Sequence, residues 1–141
     1  MKREIKFRTY SSHNHKMYPV SNIEWDIDGR IWVTADDGKN GIELIDEEAH
    51  LMQFTGLTDK NGQKIYEGDI LRVTTGEDGE SYVAIVKWFG DEDYPAFDLE
   101  GIPAAWNYDA NALATIFQEG VETCEVIGNI FEDKQLLEGK Q

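Results

Sequence analysis

The 141-residue chain is 40% apolar with only three prolines, enough burial to offset chain entropy, which excludes wholesale disorder and sets the scale of one compact unit. A net charge of −15 disfavours phosphate-backbone binding by the body of the protein, and a single Cys124 excludes an internal disulfide and a cysteine-based zinc site. The first residues, MKREIKFRTY, lack an apolar leader core and no stretch approaches 18 uncharged apolar residues, so the expected compartment is the reducing cytoplasm.

In chain order, Ile5, Phe7 and Thr9 alternate with Lys6, Arg8 and Tyr10, the period of a half-buried strand. The polar run 11–16 turns the chain into Met17–Val20. Ile23, Trp25 and Ile27 then alternate with acids, Asp28-Gly29 supplies the positive φ angles of a hairpin, and Ile31-Trp32-Val33 returns. A turn cluster at 36–41 precedes Ile42–Ile45; residues 46–54 allow a helical turn but are read as extended. Asn61-Gly62, between Thr58 and Ile65, is a strong short hairpin signal. Tyr66-Glu67-Gly68-Asp69 leads into Ile70–Val73. Tyr82–Phe89 reads as a largely buried strand and Ala96–Glu100 as another. Leu113, Ile116 and Phe117 have helical spacing, with Asp109 or Asn111 as cap and Gly120 as stop. The strand 123–131 carries Gly128, a bulge signal, and 132–139 admits a last helical turn.

This order predicts a mainly β protein with minor α content: N-terminal antiparallel hairpins over 1–60, a small SH3-like barrel over 61–133 with a short helix near 111–119, and a tail at 134–141, packed as one compact unit. Gly68 allows a backbone conformation other residues avoid, and Asp69 is placed to accept hydrogen bonds from nearby amides. The acids of this stretch are therefore expected to shape a turn rather than perform a reaction.

The stretch 51–70, LMQFTGLTDKNGQKIYEGDI, resembles the central signature of the YopX family of phage- and prophage-encoded proteins. Flanking blocks extend the resemblance: Phe7-Arg8, Lys16-Met17-Tyr18, Val86-Lys87-Trp88, and Val126–Glu132 with Leu136-Leu137. Within the signature, Gly56, Asn61, Gly62, Tyr66, Gly68 and Asp69, with Gly128 downstream, are read as structural. The resemblance implies the cytoplasm of a bacterial host and carries no catalytic residues across. Segments 21–45 and 90–122 match no block, so features particular to this chain are expected there.

No chemistry-bearing motif outweighs its structural alternative. His13-Asn14-His15 spells the letters of a nuclease motif whose real members lie far apart in sequence; solvated turn histidines are the better reading, and a metal site built with His50 or Cys124 has no fixed geometry. Asp26-Ile27-Asp28-Gly29 and Asp91-Glu92-Asp93 lack the twelve-residue spacing of a calcium loop. Glu67 and Asp69 would need a cleft to act as an acid–base pair. No nucleophile elbow, phosphate loop or dinucleotide fingerprint is present. The expected function is noncatalytic, without metal or cofactor: binding of a phage or host protein, or self-assembly into a homo-oligomer, by an acidic surface bearing aromatic anchors. Most tryptophans and tyrosines, Trp88 included, are assigned to the core, while Tyr94, Trp106 and Tyr108 are the candidate partner-binding residues. The alternative is a nucleic-acid-linked regulator, with Lys2, Arg3, Lys6, Arg8 and Lys16 on phosphate or the acids imitating DNA.

Overall fold

A computed structural model describes residues 6–36, 41–75, 79–89, 96–102, 111–119 and 122–138. The protein is mainly β, as its alternating pattern requires, with two antiparallel sheets. The strands are β1 (Phe7–Ser11), β2 (Lys16–Trp25), β3 (Ile31–Asp36), β4 (Gly41–Ile45), β5 (Ala49–Thr58), β6 (Lys64–Tyr66), β7 (Asp69–Thr75), β8 (Ser81–Trp88), β9 (Phe97–Glu100) and β10 (Glu122–Asn129). Two helices follow the expected pattern, α1 (Ala112–Glu119) and α2 (Gln135–Glu138). The chain divides into two compact units, Met1–Phe54 and Thr55–Gln141.

In the first unit the strands run in the order β4-β3-β2-β1-β5. The apolar residues of β2 change phase, Tyr18 and Val20 being even and Ile23 and Trp25 odd. The sheet absorbs the change by a register shift between Val20 and Asn22, so that Val20 pairs with Ala35 while Ile23 pairs with Val33. Ser21 sits in the bulge and its hydroxyl donates to the Thr34 carbonyl at 3.2 Å. Val33, Ala35, Tyr18 and Leu44 are thereby buried on one side of the sheet. Residues 46–54, read as extended, divide: Asp46–Glu48 form a 3₁₀ turn in which Asp46 has φ +48°, and β5 begins at Ala49.

The second part of β5 pairs with β6 in the second unit, whose four-stranded sheet has the order β10-β7-β8-β9. A meander with its last strand returning beside the first is consistent with the expected SH3-like arrangement. Leu71 pairs with Ala84 and Val126, Val73 with Tyr82 and Cys124, and Val86 with Leu99, so these side chains share one face. Helix α1 adds Ala112, Leu113 and Ile116 to that cluster. Full burial of an aliphatic side chain is worth about 1.5–3 kcal/mol, so this cluster carries the unit. Phe117, the third residue of the helical spacing, is 37% exposed, while Ala112 is buried.

One turn design occurs in each unit. Asp26 and Arg30, and Asp59 and Gln63, close three-residue loops through N–H to carbonyl bonds of 3.0 and 2.8 Å. In each, the aspartate Oδ1 accepts the amides two and four residues on: Asp28 and Arg30 for Asp26, Asn61 and Gln63 for Asp59, all at 2.8–2.9 Å. Only the glycine is left-handed, Gly29 at φ +85° and Gly62 at +83°, so Asp28 does not share the positive φ expected of it. The signature corner is also a turn with a left-handed glycine. Gly68 has φ +88°, its N–H donates to the Val86 carbonyl at 2.8 Å, and the Asp69 carboxylate, 1% exposed, accepts the Tyr66 N–H at 2.8 Å.

Cys124 is 3% exposed, and burial followed by the nearby Asp59 carboxylate pushes its thiol up to about 11 from an ordinary 9.0. At pH 8 this leaves roughly a hundredfold less thiolate than an ordinary thiol would have, in a site reagents cannot enter. The native protein is therefore expected to give no reaction with Ellman's reagent over an hour, and one thiol per chain in denaturant.

Candidate binding surfaces

His15, with φ +60°, lies in the β1–β2 turn, where its Nδ1 is 3.3 Å from the Tyr10 hydroxyl; His13 is exposed in the same turn. Among the described residues no group of three or more histidine, cysteine or acidic side chains could hold a metal ion. Asp69 is buried, and its carboxylate accepts the Tyr66 N–H. No described helix is long and apolar enough to cross a membrane. The candidate anchors Tyr94, Trp106 and Tyr108, the acids 91–93, and Asp109 and Gly120 lie outside the described residues.

Two concave surfaces are built from described side chains. The first, in the second unit, is an apolar groove of about 380 Å³ lined by Thr55, Leu57, Ala96, Phe97, Asn111, Leu113, Ala114 and Phe117. Its walls are held by polar bonds. Asn111 caps α1, accepting the Ala114 N–H at 2.8 Å, and its amide donates to the Phe97 carbonyl at 3.0 Å, tying the helix start to β9. Buried Asp98 accepts the Leu113 and Leu99 amides at 3.1 and 2.8 Å. Trp88 meets Phe97 edge-on with ring centroids 5.1 Å apart and is 46% exposed, which corrects its assignment to the core. The end of β8 carries it past the buried positions Tyr82, Ala84 and Val86.

The second surface, in the first unit, is a cleft of about 460 Å³ formed by Glu24, Trp25, Asp26, Trp32 and Glu43. Glu24 pairs with Trp32 across β2 and β3, and Thr34, two residues from Trp32, pairs with Glu43 on β4, so all three side chains share a face. Asp26 Oδ2 accepts the Trp32 indole N–H at 3.0 Å and the Arg30 Nε–H at 3.2 Å. The indole bond, then the Arg30 amide, outweigh desolvation and hold the Asp26 carboxyl below its ordinary range. Trp25 is 66% exposed. The alternation of indoles and acids was legible in the sequence, but it reads equally as an ordinary hairpin; only the pairing with β4 brings Glu43 beside Trp32.

The fold has solved counterparts. A protein EF1440 from Enterococcus faecalis is 22% identical, with a TM-score of 0.59 over 96% of this chain and 99% of that one. Protein yopX from Bacillus subtilis is 19% identical, with a TM-score of 0.61 over 93% of this chain and 96% of that one. No curated protein matches the chain. The YopX protein family model matches residues 6–138, nearly the whole sequence and both compact units, and the chain belongs to the YopX family.

Proposed function

We propose that the protein is a noncatalytic phage or prophage accessory protein of the bacterial cytoplasm that acts by binding another protein through the groove of its second unit. The observation that carries this reading is the groove itself, with Phe117 and Trp88 left in solvent around Phe97 while polar bonds from Asn111 and Asp98 hold its walls rigid. Exposed aromatics on a fixed frame lose little entropy on binding and make good anchor pockets. The net charge of −15 selects the occupant: a segment of a phage or host protein that places an apolar side chain in the groove and basic residues around it.

The test compares wild type with Phe117→Glu and Trp88→Glu by affinity capture from induced cells, identification of what is captured, and titration of that purified protein. The expected result is one basic partner whose affinity falls at least about tenfold in each variant while the thermal midpoint is kept, since both side chains are partly exposed. Trp106→Ala/Tyr108→Ala is expected to act in the same direction. Equal affinity for wild type and both glutamate variants would defeat the proposal.

A further inference from the structure

We propose that the outer edge of β4 is a strand-docking site, separate from the groove of the second unit. It takes an extended segment of a basic partner protein, with lysines or arginines alternating with apolar residues, as a further strand of the first unit's sheet. β4 ends the strand order and, among the described residues, pairs with β3 alone. Two side-chain bonds fix which way its backbone groups point. The Ile31 N–H donates to Asp46 Oδ1 at 2.9 Å, on the β4 side of β3, so Val33 and Ala35 turn their N–H and C=O groups the same way and meet Leu44 and Ile42 there. The Ile45 N–H correspondingly points away from β3, to Glu48 Oε1 at 3.0 Å. Gly41 and Glu43 share the parity of Ile45, so their N–H and C=O groups also face outward, where among the described residues they have no hydrogen-bond partner.

Elsewhere this chain closes its sheet edges. On β10 the Val126 N–H is taken by Asp59 and the Cys124 carbonyl by the Lys60 N–H. On β9 the Leu99 N–H is taken by Asp98 and the Phe97 carbonyl by the Asn111 amide. At the end of β6 the Tyr66 N–H is taken by Asp69. An edge left open is a template for another strand, and β4 is left open over Gly41 and Glu43. An incoming strand continues both faces of the sheet, and both faces specify it. Residues set beside Glu43 meet an exposed carboxylate that, among the described residues, has no ion pair, and positive charge suits them. Residues set beside Ile42 meet a half-buried aliphatic side chain, and apolar groups suit them. A second copy of β4 supplies the apolar half of that pattern but not the positive half, and brings a further net charge of −15.

The experiment titrates an acetylated Thr-Lys-Val-Lys-Thr amide into the full-length protein and follows the backbone amides by NMR. Parallel titrations use the same peptide N-methylated at both lysines, and a peptide with glutamate in place of lysine. Saturable shifts centred on Gly41 and Glu43 are expected, together with slowed hydrogen exchange of those two amides, which exchange fast in the free protein while Ile42 and Leu44 are protected by β3. N-methylation keeps the charges but removes the donors that face β4, and should weaken binding at least about tenfold. Glu43→Lys alters one exposed side chain; it should weaken the lysine peptide about fivefold or more and strengthen the glutamate peptide. The proposal is overturned if the N-methylated peptide binds as well as its parent, which would leave charge attraction alone, or if the glutamate peptide binds wild type equally. Absence of shifts at Gly41 and Glu43 overturns it too, as does protection of these amides that grows with protein concentration without peptide, which would mark the edge as a contact between copies of this chain.

Discussion

Replacing Asp59 with alanine is expected to cost about 3–4 kcal/mol of unfolding free energy, read as a lower urea midpoint at unchanged slope. Its carboxylate, 6% exposed, satisfies three backbone donors at once: Asn61 and Gln63 on Oδ1 and Val126 on Oδ2, at 2.8–2.9 Å. The third bond joins the β5–β6 hairpin to β10, 67 residues further along the chain, and the Lys60 N–H reinforces it by donating to the Cys124 carbonyl at 3.1 Å. Alanine removes the acceptor of all three amides and leaves the half-buried Val126 N–H unsatisfied, a loss of about 1–3 kcal/mol for that donor, to which the lost turn bonds add. Asp59→Asn separates the two roles. Its one carbonyl oxygen can serve the turn, but its NH₂ then faces the Val126 N–H, donor against donor, so a smaller loss of about 2 kcal/mol is expected.

The same site gives the protein an acid limit. Burial alone would raise the Asp59 carboxyl, but the bonds from Val126, Gln63 and Asn61 together outweigh it and hold the group below the ordinary value of 3.8. A carboxylate depressed in the folded state contributes stability that is whole above the ordinary value and lost as pH falls from there through the depressed one. Wild type should therefore lose stability steeply below about pH 4 relative to Asp59→Asn, which lacks the titrating group. Urea midpoints at pH 7, 5, 4 and 3 check this; parallel curves for the two proteins would contradict the assignment.

The turns and the helix were legible because local chemistry decides them. Asp-Gly and Asn-Gly marked both hairpins, Gly68-Asp69 marked the corner before β7, and Leu113 and Ile116 marked the buried stripe of α1. The loop type was not legible, since a three-residue loop with one left-handed glycine and a two-residue loop with two left-handed residues share the same dipeptide. The bulge at Ser21 was written in the sequence as a phase change between Val20 and Ile23, but a phase change also ends strands, and only the pairing with β3 shows one strand continuing. The tie from Asp59 to Val126 had no local signal at all.

Aromatic exposure was hidden for a related reason. β-propensity reflects fit to a pleated, half-buried surface, so tryptophan is as natural on an outer face as in the core. Trp88 and Trp25 stand at strand ends, where alternation continues past the last covering layer. The sites they border therefore emerge from topology: α1 against β9 builds the groove, and β4 beside β3 completes the cleft. Within the signature, Gly56, Gly62 and Gly68 all have positive φ, and Tyr66 and Asn61 donate amides to aspartates.

Gly128 shows how a strand glycine can act through space instead of φ. The expected bulge is present, as a register shift between Val126 and Gly128 on β10. Its backbone is not left-handed, so conformation alone would admit alanine. Contact would not: a Cβ here would sit 2.7 Å from Asp133 Cγ and Oδ2 and 2.8 Å from its Cβ. Asp133 cannot swing aside freely, because its Oδ2 accepts the Asn129 N–H at 3.1 Å and its own N–H donates to the Asn129 carbonyl at 2.9 Å. Asn129 in turn accepts the Phe131 and Glu132 amides, at 3.0 and 2.9 Å. Gly128→Ala is therefore expected to destabilise by about 2–3 kcal/mol, the scale of overpacking in a locked site. In a double-mutant cycle with Asp133→Gly, which removes every clashing atom, the two losses should fall short of additivity by about 1 kcal/mol or more. The Ile130 N–H, which donates to the Gly68 carbonyl at 2.9 Å, offers a local reading: its hydrogen exchange should accelerate in Gly128→Ala, since a displaced 129–133 turn pulls that bond away from the signature corner. Additive losses with unchanged Ile130 exchange would mean that Asp133 yields without cost, and that glycine stands at the bulge for some reason other than the space it leaves.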